Sequence, residues 1–251
     1  MNDSRVAPAV AMPAARPRAR WLALTGLLLL VLALLTVNVL TNGPLVAVDH
    51  GIRGAVRAQA DSAAWRWVGD RWYSPARLLV ELGNNQAAMP VLAVCAAVAA
   101  HWRRSLRPLI AAVIGVVLLL GTVIPAKILI GRAGPGMPPV QHGAMGVFPS
   151  GHASTSSVCL GLGALLVTAG LPALARRAVL VATAALCFLV GAALIWCAFH
   201  WFTDVVAGWA LAALIIMVAL RLTGFSGSID AAVGPGAVTV GERTRGSRPD
   251  D

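Results

Sequence analysis

Charge is scarce in this sequence: only 12% of its 251 residues are Asp, Glu, Lys or Arg, about half the share usual for a soluble domain. Acids are the scarcer half, ten against twenty Lys and Arg. Cysteine is sparser still. The four present, Cys95, Cys159, Cys187 and Cys197, all fall inside apolar runs, and none forms a CxxC pair. That spacing excludes a zinc module and a disulfide framework and leaves them as small packing residues. Aromatics make up only 6% of the chain, and no basic stripe is interleaved with them, which excludes the stacking platforms that bind single-stranded nucleic acid.

Apolar side chains are abundant instead, at 58% of the chain. They are gathered in runs close to 20 residues, the length that crosses a bilayer as helix. The fold class expected is all-α, a polytopic membrane protein with six transmembrane helices. The spans are placed at 21–41, 77–100, 109–126, 151–171, 178–199 and 203–222. The first exceeds the 7–15 residues of a signal-peptide core and lacks an A-x-A cleavage site, so it reads as a retained span. Three parts follow: a basic N-terminal segment, 1–20; a membrane domain, 21–222; and a disordered tail, 223–251, rich in Gly, Ser and charge.

Arginine placement sets the orientation. Arg16, Arg18, Arg20, Arg103, Arg104, Arg107, Arg176, Arg177 and Arg221 all fall on one side of a six-span topology. By the positive-inside rule both termini are cytoplasmic, and these arginines meet anionic headgroups. Segments 43–75, 127–149 and 200–204 then face outward. The first mixes Asp49, Asp61 and several arginines with Trp65, Trp67, Trp72 and Tyr73, which suggests an amphipathic helix at the outer interface. The second span opens with Glu81, Asn84, Asn85 and Gln86. These either line a cavity or lie outside a span that begins near Ala87.

Three polar segments share the outer end of the spans. His200 and Asp204, four apart, would share one face if helix begins at His200. The carboxylate would then orient one imidazole nitrogen and leave the other as a nucleophile. Pro149–Ser150–Gly151–His152 opens the fourth span, where Ser150 is a natural N-cap and the free amides of a helix start favour an anion. His152 has the near-neutral titration that suits a general acid. Lys127 and Arg132 supply cations for phosphate oxygens.

Together, Lys127…Arg132, Pro149–Ser150–Gly151–His152 and His200-x-x-x-Asp204 resemble the type 2 phosphatidic acid phosphatase superfamily, which includes the vanadium haloperoxidases. Its pattern is K-x6-R-P, P-S-G-H and S-R-x5-H-x3-D, and the resemblance spans roughly residues 20–222. It implies a six-helix membrane bundle with an outward site. There His200 attacks phosphorus, Asp204 assists, His152 protonates the leaving oxygen, and Lys127, Ser150 and Gly151 hold phosphoryl oxygens. It implies no metal and no cofactor. The partners implied are the bilayer and a phosphorylated lipid, either phosphatidate-type or a polyprenyl pyrophosphate; nucleic acid is not among them. Two family arginines are missing. Gly134 stands at the first position, where Arg132 two residues earlier is the expected substitute, and Leu194 stands at the second. A catalytically weakened relative that binds phosphorylated lipid is therefore the alternative. A transporter fits less well, because its polar residues would lie at mid-depth.

Overall fold

A computed structural model describes residues 17–61 and 75–225, and every regular element among them is helical. Helix α1 (Pro17–Leu40) opens on a proline, which suits the first helical position because its missing N–H has no partner there. A tight turn follows. Asn38 accepts the Leu45 amide through its side chain at 3.0 Å, and α2 (Pro44–Asp61) again starts on proline. Trp65, Trp67, Trp72 and Tyr73 lie outside the described residues.

The second expected span is interrupted. A short α3 (Pro75–Glu81) and a long α4 (Asn85–Arg103) meet at 57°, and Asn84 caps α4 by accepting the Gln86 amide at 3.2 Å. Helix α5 (Arg107–Ile130) ends at Gly131, whose φ of +58° is a left-handed cap that costs glycine nothing. It runs past the expected end at Ala126, so Lys127 occupies its last turn. An irregular Gly- and Pro-bearing loop leads to α6 (Gly151–Thr168), followed by α7 (Ala173–Trp196) and α8 (Phe202–Leu222). Helix α7 begins five residues before the expected Ala178, directly after Pro172, so Arg176 and Arg177 belong to its first turns rather than to a connecting turn.

α6 is the centre of the bundle, packed against α4, α5, α7 and α8. Small residues permit the close approach: a Cβ on Gly163 would stand 3.2 Å from Cys95 Cβ. Four helices, α1, α5, α7 and α8, are long and apolar enough to cross a membrane, and the bent α3–α4 pair makes up to five. The remaining expected span, α6, does not join them, because its first turns carry His152, Ser154, Thr155, Ser156 and Ser157. Its neighbours leave none of its residues fully exposed, so little of its surface demands apolar residues. The four cysteines are free, three of them buried.

Arg103 and Arg221 share one end of the bundle. The Arg221 guanidinium lies 5.2 Å from the Trp21 ring centre and that of Arg103 lies 4.8 Å from Phe225, which joins the start of α1 to the ends of α4 and α8. Packing in the α7–α8 seam is tight: a Cβ on Gly191 would fall 2.3 Å from Cζ2 of Trp209. The indole is rigid, so Gly191→Ala is expected to cost about 1–3 kcal/mol, read as a lower melting temperature in detergent.

Candidate active site

The other end of the bundle collects the polar residues. The α6 start is fixed first: Ser150 is fully buried, its Oγ accepts the Ala153 amide at 3.3 Å, and its own amide donates to the Asp204 carbonyl at 3.0 Å. Gly208 supports this approach, since a Cβ there would meet the Ser150 carbonyl at 2.9 Å. The helix start is thus pinned to the first turn of α8. In that first turn of α6, the amides of Gly151 and His152 have no intrahelical acceptor.

His200 does not begin a helix. It occupies the turn between α7 and α8, where Ala198 adopts a left-handed φ of +58° and the amides of Phe199 and His200 fold back onto the Leu194 carbonyl. Helix α8 starts two residues later, with Trp201 as N-cap. Asp204 is the third residue of that helix, and its Oδ2 accepts the Trp201 amide at 3.0 Å. Capping, rather than a shared helical face, therefore brings the pair together. His200 Nδ1 lies 3.5 Å from Asp204 Oδ2, beyond a formed hydrogen bond, and has no hydrogen-bond partner among the described residues. Its side chain is buried, with its ring centre 6.4 Å from that of His152.

Lys127 reaches the same end, donating to the Gly146 carbonyl at 3.0 Å and passing beside Gly151, where an added Cβ would stand 3.4 Å from Lys127 Cε. Lys127, Gly151 and His152 line a cavity of about 490 Å³. Gly83, Asn84 and Asn85 at the α3–α4 bend form its rim, and Leu119, Leu120, Val123 and Ile124 of α5 form its apolar wall. Of the two readings left open for the polar opening of the second span, the cavity holds for Asn84 and Asn85. Asn85 accepts from Thr155 Oγ1 at 2.9 Å.

Arg132, expected at the phosphate, has both terminal nitrogens engaged with protein. Nη2 meets Asp49 Oδ2 at 2.6 Å, and Nη1 contacts Asp204 Oδ1 and donates to Thr203 Oγ1 at 2.7 Å. The guanidinium is compensated by two carboxylates before any ligand arrives. Leu194 and Gly134, the positions expected to lack an arginine, both have apolar surroundings. Leu194 is fully buried in a cluster with Val80, Ala153, Val190 and Val205, and Gly134 sits against Met137 and Val147.

Sequence reading had placed Asp49 only among the mixed charges of the outer segment. The structure buries it beside Arg132 and Thr203. A signal was available: on the helical period Asp49 falls on the stripe of Leu45, Ile52 and Val56, where an acid has no reason to lie unless it is paired.

With this geometry in place, comparison with known proteins is decisive on kinship. The PAP2 superfamily model matches residues 90–227, more than half of the chain. The chain belongs to the PAP2 superfamily. The match takes in the cavity wall of α5, the start of α6 and the His200–Asp204 turn. Its fold is similar to the crystal structure of a transmembrane PAP2-type phosphatidylglycerolphosphate phosphatase from Bacillus subtilis, with a TM-score of 0.65 over 82% of this chain and 96% of that one at 22% identity. A comparison with curated proteins found no match. PAP2 membership, with the apolar helices, marks an integral membrane protein of the phosphatase kind.

Proposed function

We propose that this PAP2 chain hydrolyses a phosphate monoester or pyrophosphate of a lipid on the non-cytoplasmic side, through a phosphohistidine at His200. The observation that carries the reading is the convergence of His200, His152, Lys127 and the α6 start on one end of the bundle, beside a cavity with an apolar wall. In the proposed reaction, Nε2 of His200, the nitrogen turned away from Asp204, attacks phosphorus while the bond from phosphorus to the leaving oxygen breaks. His152 gives that oxygen a proton. Water, deprotonated by His152, then attacks the phosphohistidine; the N–P bond breaks and inorganic phosphate leaves.

Lys127 and the amides of Gly151 and His152 are the groups assigned to the phosphoryl oxygens, a fixed cation and the positive end of a helix together. Ser150, expected to hold phosphate, acts on this reading through its cap, which aims those amides. Arg132 holds Asp204 rather than the phosphate, a role supported by its two carboxylate partners. The apolar α5 wall suits the first carbons of a lipid tail. The outward side is supported by Arg103 and Arg221, which lie at the opposite end.

The test is phosphate release by purified protein on a panel of phosphatidate, phosphatidylglycerophosphate and polyprenyl pyrophosphate in detergent micelles. Release from at least one lipid is expected; none above the His200→Ala background sinks the proposal. Lys127→Ala should lower kcat/KM by about 10–100-fold, the worth of one charged phosphate contact. Gly83→Ala is a steric test, since its Cβ would stand 2.8 Å from both Cβ and the carbonyl oxygen of His152. Displacing the general acid should cost about 100-fold in kcat.

A further inference from the structure

Among the described residues, Asp49 is the one buried acid at this end of the molecule that the proposed chemistry leaves unused, with 1% of its surface exposed. A purely mechanical anchor for α2 would not call for it. Asp49, Asp204 and Arg132 form a buried set with one net negative charge, and burying charge is costly unless each group is well paired. Asp49 is fully paired. Its Oδ1 accepts the Thr203 amide at 2.9 Å, an orphan donor of the first turn of α8, and its Oδ2 accepts from Thr203 Oγ1 at 2.6 Å and from Arg132 Nη2 at 2.6 Å.

Those bonds set the plane of the Arg132 guanidinium, which presents Nη1 to Asp204 Oδ1. The other carboxylate oxygen, Oδ2, is held by the Trp201 amide and faces His200 Nδ1. Bonded contacts therefore run from α2 through Asp49 and Arg132 to Asp204, whose free approach to His200 Nδ1, at 3.5 Å, is the last step to the nucleophile. Remove Asp49 and Nη2 is released. Arg132 is then free to take Asp204 through both of its nitrogens, the preferred fork geometry, which draws Oδ2 away from the imidazole.

We infer that Asp49 is a positioning residue for the His200–Asp204 pair, contributed by a helix that lies before the residues matched by the family model. The inference rests on His200 being the nucleophile, and it makes α2 part of the machinery. An α2 that leaves the bundle takes the alignment of His200 with it.

The test uses the full chain purified in nonionic detergent, with dioleoyl phosphatidate in mixed micelles as the probe, comparing wild type with Asp49→Asn and Asp49→Ala. The expected result for Asp49→Ala is a kcat lower by about 100-fold with KM within about twofold, and a smaller loss of the same kind for Asp49→Asn. Amide hydrogen exchange over residues 199–206 should quicken in both variants while residues 107–130 keep their wild-type protection. In an Arg132→Met background, Asp49→Asn should add less than about threefold, because the run of contacts is already broken. Wild-type kcat in both variants overturns the inference. So does a loss of protection spread evenly through the bundle, the mark of a merely structural role. If wild type releases phosphate from no lipid, the phosphatase proposal falls instead. Exchange at 199–206 then decides alone: unchanged protection contradicts the positioning role of Asp49, and a local increase supports it.

Discussion

His200→Ala is expected to lower phosphate release by about four orders of magnitude or more while leaving the protein folded. The size follows from what is removed: with no nucleophile, only binding and electrostatic stabilisation by Lys127 and the α6 amides remain, and losses of a covalent nucleophile run to about 10⁴–10⁶ in kcat. Folding should survive because His200 occupies a turn rather than a helix and its Nδ1 makes no hydrogen bond among the described residues. The variant still binds substrate, so His200→Ala should keep a KM near that of wild type wherever residual turnover is measurable. His152→Ala should fall less far. It removes proton donation to the leaving oxygen, worth about 10²–10⁴, and a lipid with a more acidic leaving group should recover part of the loss.

Asp204→Ala is expected to be the most destabilising single change at this site, by about 1.5–3 kcal/mol, because it strips a charged hydrogen bond from the Arg132 guanidinium and leaves Asp49 as its one carboxylate partner. The same carboxylate caps α8 by accepting the Trp201 amide, and loss of a cap adds about 1 kcal/mol. Asp204 is fully buried, so water does not replace either contact. Asp204→Asn separates the two effects. It retains an acceptor for the Trp201 amide but not the charge opposite Arg132, so most of the stability loss should persist. The measurement is urea or thermal unfolding in detergent, read beside kcat for the same samples. A variant as stable as wild type would contradict the charge arrangement described here.

The parts of this molecule legible in its sequence were those set by local rules. Helix positions came from apolar length, and the α6 start came from Ser150 followed by a helical run, a capping signal that needs no tertiary context. The break at 82–84 was half visible: Glu81, Asn84 and Asn85 were conspicuous in an apolar run, but whether they faced a cavity depended on the approach of Thr155 and His152 from a distant helix. The count of spans was less secure for a physical reason. α6 packs against four neighbours and none of its residues is fully exposed, so composition does not mark it in the way that it marks α5 or α7.

Arg132 and Asp49 were the least legible. Spacing placed Arg132 near the family's arginine position, and charge alone suggested a phosphate ligand. Only the fold reveals two carboxylates already on that guanidinium, one of them on a helix 83 residues earlier in the chain. A side chain's partner is a property of topology, and nothing in the run Leu45–Ile52 names Arg132 or Thr203 as the reason for its acid. Leu194 carries the opposite lesson. Its apolar character was plain in the sequence, and the structure places it in a cluster with Val80, Ala153, Val190 and Val205.

The central claim, a phosphohistidine at His200, is open to direct measurement. Wild-type protein mixed with a lipid labelled with ³²P in its terminal phosphate, quenched in alkali within milliseconds and digested, should yield one labelled peptide. The account predicts that this peptide contains His200, that its label is stable in alkali and lost in mild acid, and that His152→Ala leaves the label in place. Phosphate release with no labelled intermediate, or with label on any other residue, would contradict it.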